Sequence, residues 1–256
     1  MSLASDIALA HRLADVAGAI IRPFFRQPIS LETKADQSPV TEADRAAEAA
    51  MRRILESDRP REGIIGEEYG ASRPGASRQW ALDPIDGTRA FIAGRPLFGT
   101  LIALLEAGVP VLGLIDQPIL KERWVGQLGE RPGTTLNGVA VRVRACPGLE
   151  TAHLATTSPA AFSAEGLTGF QRVARAARDT LLGGDCHNYG LLAAGHLDLV
   201  VEDNLKLHDW AALVPVVAGA GGLMTGWRGE PLVAGAAGAV IAAGDRRVHE
   251  AVLALL

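Results

Sequence analysis

Between residues 3 and 25, apolar side chains recur at Leu9, Leu13, Val16, Ala17, Ile20, Ile21 and Phe24, a helical period that predicts an amphipathic helix packed on a sheet. Residues 41–55 repeat the pattern, with Ala46, Ala47, Ala50, Met51 and Ile54 on the inward stripe and Asp44 in the first turn. The apolar runs then shorten. Ile64-Ile65 and Trp80-Ala81-Leu82 are strand-like, and each ends in acid, the first at Gly66-Glu67-Glu68 and the second at Asp83-Pro84-Ile85-Asp86-Gly87-Thr88. Pro84 is expected to block the second strand, and Asp86-Gly87-Thr88 to open a turn into a helix. Residues 97–117 read as two strands about the turn Glu106-Ala107-Gly108-Val109-Pro110. Two more follow at residues 123–128 and 139–143, giving a largely antiparallel sheet.

Around Cys146-Pro147-Gly148 the pattern changes to alternating strands and helices. Strands are expected at residues 153–157, 197–201, 223–227 and near 240–242. Helices are expected at 164–177, 189–194, 209–220 and 245–256. The chain thus divides into residues 1–146, an α+β half with an antiparallel sheet, and residues 147–256, an α/β half.

With 256 residues, 48% of them hydrophobic, the chain can bury a core of ordinary globular density. The longest apolar runs, 99–105 and 234–243, are too short or too glycine-rich to span a bilayer. The N-terminus lacks a basic segment followed by an apolar signal core, so the expected place is the cytoplasm, away from membranes. Cys146 and Cys186 are the only cysteines and are expected as reduced thiols. A net charge of −4 with 5% aromatic residues excludes a basic, stacking surface for nucleic acid. It does not exclude a phosphate ligand, because divalent cations held by carboxylates invert the local sign.

Asp83 and Asp86 flank one turn with a backbone carbonyl between them, so both can reach one hard cation; an Asp-capped turn explains the same residues. Glu67 ends a second acidic strand and could share that cation. Asp209 sits in Lys206-Leu207-His208-Asp209-Trp210, at the start of an apolar helix. Thr41 lies where the polar loop Lys34-Ala35-Asp36-Gln37-Ser38-Pro39-Val40 enters another. Each of these two alone is an ordinary helix cap.

In order and spacing, these four elements resemble the inositol monophosphatase family, which also contains fructose bisphosphatases and nucleotide phosphatases. The likeness extends to Gly219-Ala220-Gly221-Gly222. The segments Arg89-Ala90-Phe91-Ile92-Ala93-Gly94-Arg95-Pro96, Gly184-Asp185-Cys186-His187-Asn188-Tyr189-Gly190 and Leu213-Val214-Pro215-Val216-Val217 look most like the histidinol-phosphate phosphatase branch.

The resemblance implies an α+β fold, a layered α-β-α-β-α sandwich of the inositol monophosphatase and fructose bisphosphatase type. The metal-binding half would be residues 1–146, with residues 147–256 completing the site. It implies two to three Mg²⁺ ions per site: one on Glu67, Asp83 and the Ile85 carbonyl, a second on Asp83, Asp86 and Asp209, and a weaker third at Glu67. Thr88 would hold the attacking water, polarised by Asp44, which could equally be a first-turn acid favoured by the helix dipole. Gly87 and Thr88 would offer backbone N–H groups to the phosphate, and Lys34 would close over the site unless it is a solvated loop charge.

The substrate would be a small phosphate monoester, and the chain a homodimer. Histidinol phosphate carries an ammonium group and an imidazole, so its subsite needs carboxylates or amides. Asp185, Asn188 and Glu202 fit that demand, whereas Asp203 reads as a strand-end acid and His208 as a packing residue. An inositol-type monophosphatase is the alternative enzyme, and a metal-regulated binding protein the non-catalytic one.

Overall fold

The computed structural model describes residues 2–28, 31–33 and 39–256, and Lys34 lies outside them. Helix α1 (Leu3–Ile21) is capped by the Ser2 hydroxyl and ends in a 3₁₀ turn at Arg22–Phe24. The short strands β1 (Leu31–Thr33) and β2 (Pro39–Thr41) pair just before α2 (Glu42–Asp58), whose N-terminus is closed by a reciprocal Thr41–Asp44 cap. Then come β3 (Gly63–Gly66), β4 (Gly70–Ser72), β5 (Arg78–Asp86), α3 (Thr88–Ile92), β6 (Gly99–Glu106), β7 (Val109–Gln117), β8 (Glu122–Gln127), β9 (Gly133–Leu136) and β10 (Val139–Ala140).

The second half comprises β11 (His153–Thr156), α4 (Ala164–Ala176), β12 (Asp179–Leu182), α5 (Asp185–Ala193), β13 (Leu199–Glu202), α6 (Leu207–Trp210), α7 (Leu213–Gly219), β14 (Leu223–Gly226), β15 (Val240–Ala243) and α8 (Arg246–Leu253). Among the described residues one sheet has eight strands in the order β10-β9-β8-β7-β6-β5-β3-β4, and another has five, β12-β11-β13-β15-β14. The larger is antiparallel except where β3 runs beside β5; in the smaller, β11 is parallel to both β12 and β13.

Alternation along the strands builds the layers. On β6, Ile102 and Leu104 pack with α1 and α2, whereas Leu101, Ala103 and Leu105 face α5 and α7. On the smaller sheet Val200, Val240 and Ala242 meet that same central helical layer, and Leu199, Val201, Ile241 and Ala243 face α4 and α8. The result is helix, sheet, helix, sheet, helix, as expected for the fold. Helix α7 lies so close to the larger sheet that a Cβ on Gly126 would meet the backbone of Pro215 and Val216.

Several elements differ from the sequence expectation. Strand β5 runs through Pro84, because the pairing with β6 shifts register between Asp83 and Asp86 and no ladder bond is required of the proline there. The helix expected over 209–220 is two pieces, α6 and α7. Pro215 has no N–H for the Ala211 carbonyl and its ring crowds that group, so the chain is interrupted at Ala211 and Ala212. Helix α5 begins at Asp185, not 189, because Gly184 at φ 118° turns the chain directly into it. Strands β9 and β12 were not expected; both are four residues long, and β12 shows mainly exposed side chains, including Leu181 and Leu182. Strand β10 stops at Ala140, short of the expected 143.

Candidate active site

Two residues three apart on a regular strand point to opposite faces. Asp83 pairs opposite Leu101 and Asp86 opposite Gly99, so β5 spends one residue more than β6 over this stretch, and the resulting bulge reverses the alternation. Both aspartates therefore line one cavity of about 520 Å³. Asp209 reaches the same place from the first turn of α6, where its carboxylate also accepts the Lys206 backbone N–H at 2.7 Å. One oxygen from each of Asp83, Asp86 and Asp209 lies within 4.8 Å of the others.

The local backbone is tied to these acids. The Asp83 carboxylate accepts the Ile85 N–H at 3.0 Å, and Thr88 Oγ1 donates to the Ile85 carbonyl at 3.1 Å. Gly87, at φ 86°, forms the N-terminus of α3; a Cβ there would sit 2.8 Å from Asp185 Cγ, so both its conformation and its neighbour require glycine. From the second half, the Cys186 N–H at the start of α5 donates to Asp86 at 2.6 Å. Asp185 itself is held at φ 45°, a left-handed conformation that Asp tolerates better than most residues.

Glu67 also lines the cavity, at the turn after β3. That turn is gripped from α2: the buried Glu48 carboxylate accepts the backbone N–H groups of Glu68 at 2.7 Å and Tyr69 at 3.2 Å, with Arg52 Nε on the same carboxylate at 2.7 Å. Sequence reading passed over Glu48, because a glutamate within a helix usually faces solvent.

The acids crowd one another. Burial, then the charges of Glu67, Asp86 and Asp209, push the Asp83 carboxyl well above the ordinary carboxylate range. Burial, then Asp185 and Asp209, do the same to Asp86 against the opposing Cys186 hydrogen bond. Asp209 is raised by burial and partly relieved by His208 and the Lys206 N–H. The donors are hard oxygens in a partly buried cluster whose repulsion a divalent cation would relieve, so the residues fit such an ion.

Beyond the cluster the cavity wall carries Asp185 and Glu202. Burial pushes Asp185 up to about 6. Glu202 accepts the Thr157 N–H at 2.7 Å and hydroxyl at 2.8 Å, yet burial outweighs these bonds and pushes it up to about 7. Asn188 sits differently from expectation, tying its amide to the Gly183 carbonyl at 3.0 Å, away from the cavity wall. Asp44 caps α2, accepting the Thr41 N–H at 2.9 Å and hydroxyl at 2.5 Å. The expected bond from Thr88 to Asp44 needs the single Thr88 hydroxyl proton, which here goes to Ile85.

His208 lies 3.4 Å from Asp209 on the cavity wall, and Asp203 holds the start of α4 through the Ser163 N–H and hydroxyl. Arg95, Thr157 and Ser158 also line the cavity. Arg95 stood within a segment already singled out, whereas the two hydroxyl residues carried no sequence signal. Both cysteines are free thiols. Among the described residues, no helix is long and apolar enough to cross a membrane.

Two sheets sandwiched among three helical layers, with an acidic cluster where the halves meet, define a class that the comparisons name. Residues 2–256 match the model of the inositol monophosphatase family, and the chain belongs to that family. It is 48% identical over 255 residues to the bifunctional phosphatase IMPL2, chloroplastic, of Arabidopsis thaliana, a match that covers 96% of this chain and 73% of that protein. The histidinol-phosphatase of Mycobacterium tuberculosis is 37% identical, with 98% of this chain and 97% of that one covered. Among solved structures, an inositol monophosphatase from Zymomonas mobilis superposes with a TM-score of 0.92 at 58% identity, covering 100% of this chain and 98% of that one. The named relatives are phosphoric monoester hydrolases.

Proposed function

We propose that this chain is a Mg²⁺-dependent phosphomonoesterase that hydrolyses L-histidinol phosphate to L-histidinol and phosphate, a step of histidine biosynthesis. The observation that carries the reading is the pairing of a three-aspartate cluster with a second acidic wall, Asp185 and Glu202, in one cavity. Glu67, Asp83 and the Ile85 carbonyl would hold one ion, Asp83, Asp86 and Asp209 a second, and Glu67 a third. Mg²⁺ supplies charge neutralisation at the phosphate oxygens, a lowered water pKa and stabilisation of the departing alkoxide.

The chain's own groups do the positioning. Thr88 Oγ1 spends its proton on Ile85 and keeps its lone pairs for a water proton, so it orients the nucleophile. A relay to Asp44 forms only when that proton leaves Ile85. Backbone N–H groups at Gly87 and Thr88 would be offered to the phosphate. Asp185 and Glu202 offer carboxylate acceptors to an ammonium or imidazolium group on the leaving alcohol.

A second reading, an inositol or related sugar-alcohol monophosphatase, is favoured by the 58% identity to the Zymomonas mobilis inositol monophosphatase. Phosphate release from L-histidinol phosphate and from inositol 1-phosphate, compared at equal Mg²⁺, separates the two. The proposal expects a preference of well over about tenfold, or 1.4 kcal/mol in transition-state binding, for the cationic ester. Asp185→Ala should erase that preference. Equal or better turnover of inositol phosphate would leave only the phosphatase class standing. We also propose a homodimer, which sedimentation velocity would report as twice the 26.8 kDa chain mass.

A further inference from the structure

Tyr189 is 2% exposed, its ring packed in the central helical layer, and its hydroxyl has no hydrogen-bond partner among the described residues. Such atoms are rare in folded proteins and disfavour folding unless something else satisfies them. Here the residue lies on the wall of the active-site cavity. Burial, then the charges of Glu202, Asp86 and Asp209, push its phenol well above the ordinary range. On α5 it follows Asp185 by four residues, so the two share one helical face.

We propose that Tyr189 determines specificity: its hydroxyl oxygen accepts a hydrogen bond from the ammonium group of a cationic phosphate ester, completing a subsite with Asp185 and Glu202. The inference rests on the phosphatase reading above and deepens it. A phenol has one proton and two lone pairs. The hydroxyl donates to no carboxylate among the described residues, and its lone pairs are open to an N–H donor. Asp185 and Glu202 attract a cation and repel an anion, whereas a neutral polyol would leave their charge uncompensated. Burial has already raised Glu202 to about 7, a penalty that a bound ammonium group offsets.

Tyr189→Phe tests this, because it deletes the oxygen and keeps the ring. At pH 8 with Mg²⁺, wild type and variant are assayed on L-histidinol phosphate, its desamino analogue and inositol 1-phosphate, and their thermal unfolding is compared. For L-histidinol phosphate, KM should rise about tenfold with a much smaller change in kcat. The desamino ester should lose far less, so that discrimination between the two esters collapses, and the melting temperature should not fall. Equal losses on all three esters, or no loss on any, would overturn the inference. If wild type prefers the cationic ester and the variant keeps that preference, the tyrosine inference fails alone. If wild type shows no such preference, the substrate reading fails first and takes the subsite with it.

Discussion

Asp83, Asp86 and Asp209 repel one another in a partly buried cluster, a price in stability that a bound cation returns. Asp209→Asn should therefore raise the melting temperature in EDTA, abolish the Mg²⁺-induced rise seen in wild type, and cut kcat by roughly 10²–10⁴, read by scanning fluorimetry and phosphate release. Glu202 gives a pH test away from the cluster. Its folded pKa of about 7 lies above its ordinary 4.5, so between these values the folded protein binds more protons than the unfolded one. Stability then falls as pH rises across that window, and Glu202→Gln should flatten the fall in denaturant titrations. A slope that survives the substitution would remove Glu202 from the account. At this scale the Asp-Pro-Ile-Asp-Gly-Thr run was legible because its chemistry is packed into six consecutive residues. Tyr189 was not, since an aromatic residue in an apolar helix looks like core until it is seen to line a cavity with its hydroxyl unpartnered.

The elements carry the site through their irregularities. The bulge in β5 turns Asp83 and Asp86 to one side, and the break before α7 at Pro215 leaves Asp209 in a separate short helix beside β5. Periodicity placed most strands and helices but not these faults, because a bulge depends on the partner strand and a helix break on the carbonyl four residues back. Gly87→Ala should destabilise by about 1–3 kcal/mol, from its left-handed backbone and the approach of Asp185, and should lower activity with it. Glu48→Ala frees two backbone N–H groups of the turn that carries Glu67 and leaves Arg52 without its carboxylate. Chemical denaturation should show a loss of about 2–4 kcal/mol, and the Mg²⁺ concentration for half-maximal activity should rise. An unaltered Mg²⁺ requirement would make Glu48 a purely structural anchor.

Across the whole molecule, the two halves could be anticipated from their different strand patterns, the layered order only from the family resemblance, and the acidic ends of β3 and β5 from the sequence itself. Asp209 crosses to Asp83 and Asp86, as the family resemblance implied. What could not be anticipated are the contacts beside it, where the Cys186 N–H caps Asp86 and Gly87 sits against Asp185. A cation bound there would join α6 to β5, and at 100 times its Kd it should add about 2.7 kcal/mol to the stability of the fold. The measurement that tests the central claim most directly is phosphate release from L-histidinol phosphate by protein stripped with EDTA, then titrated with Mg²⁺. The account predicts no turnover in EDTA and full recovery as Mg²⁺ returns, with Asp209→Asn unrecovered. Turnover that persists in the stripped protein would contradict it.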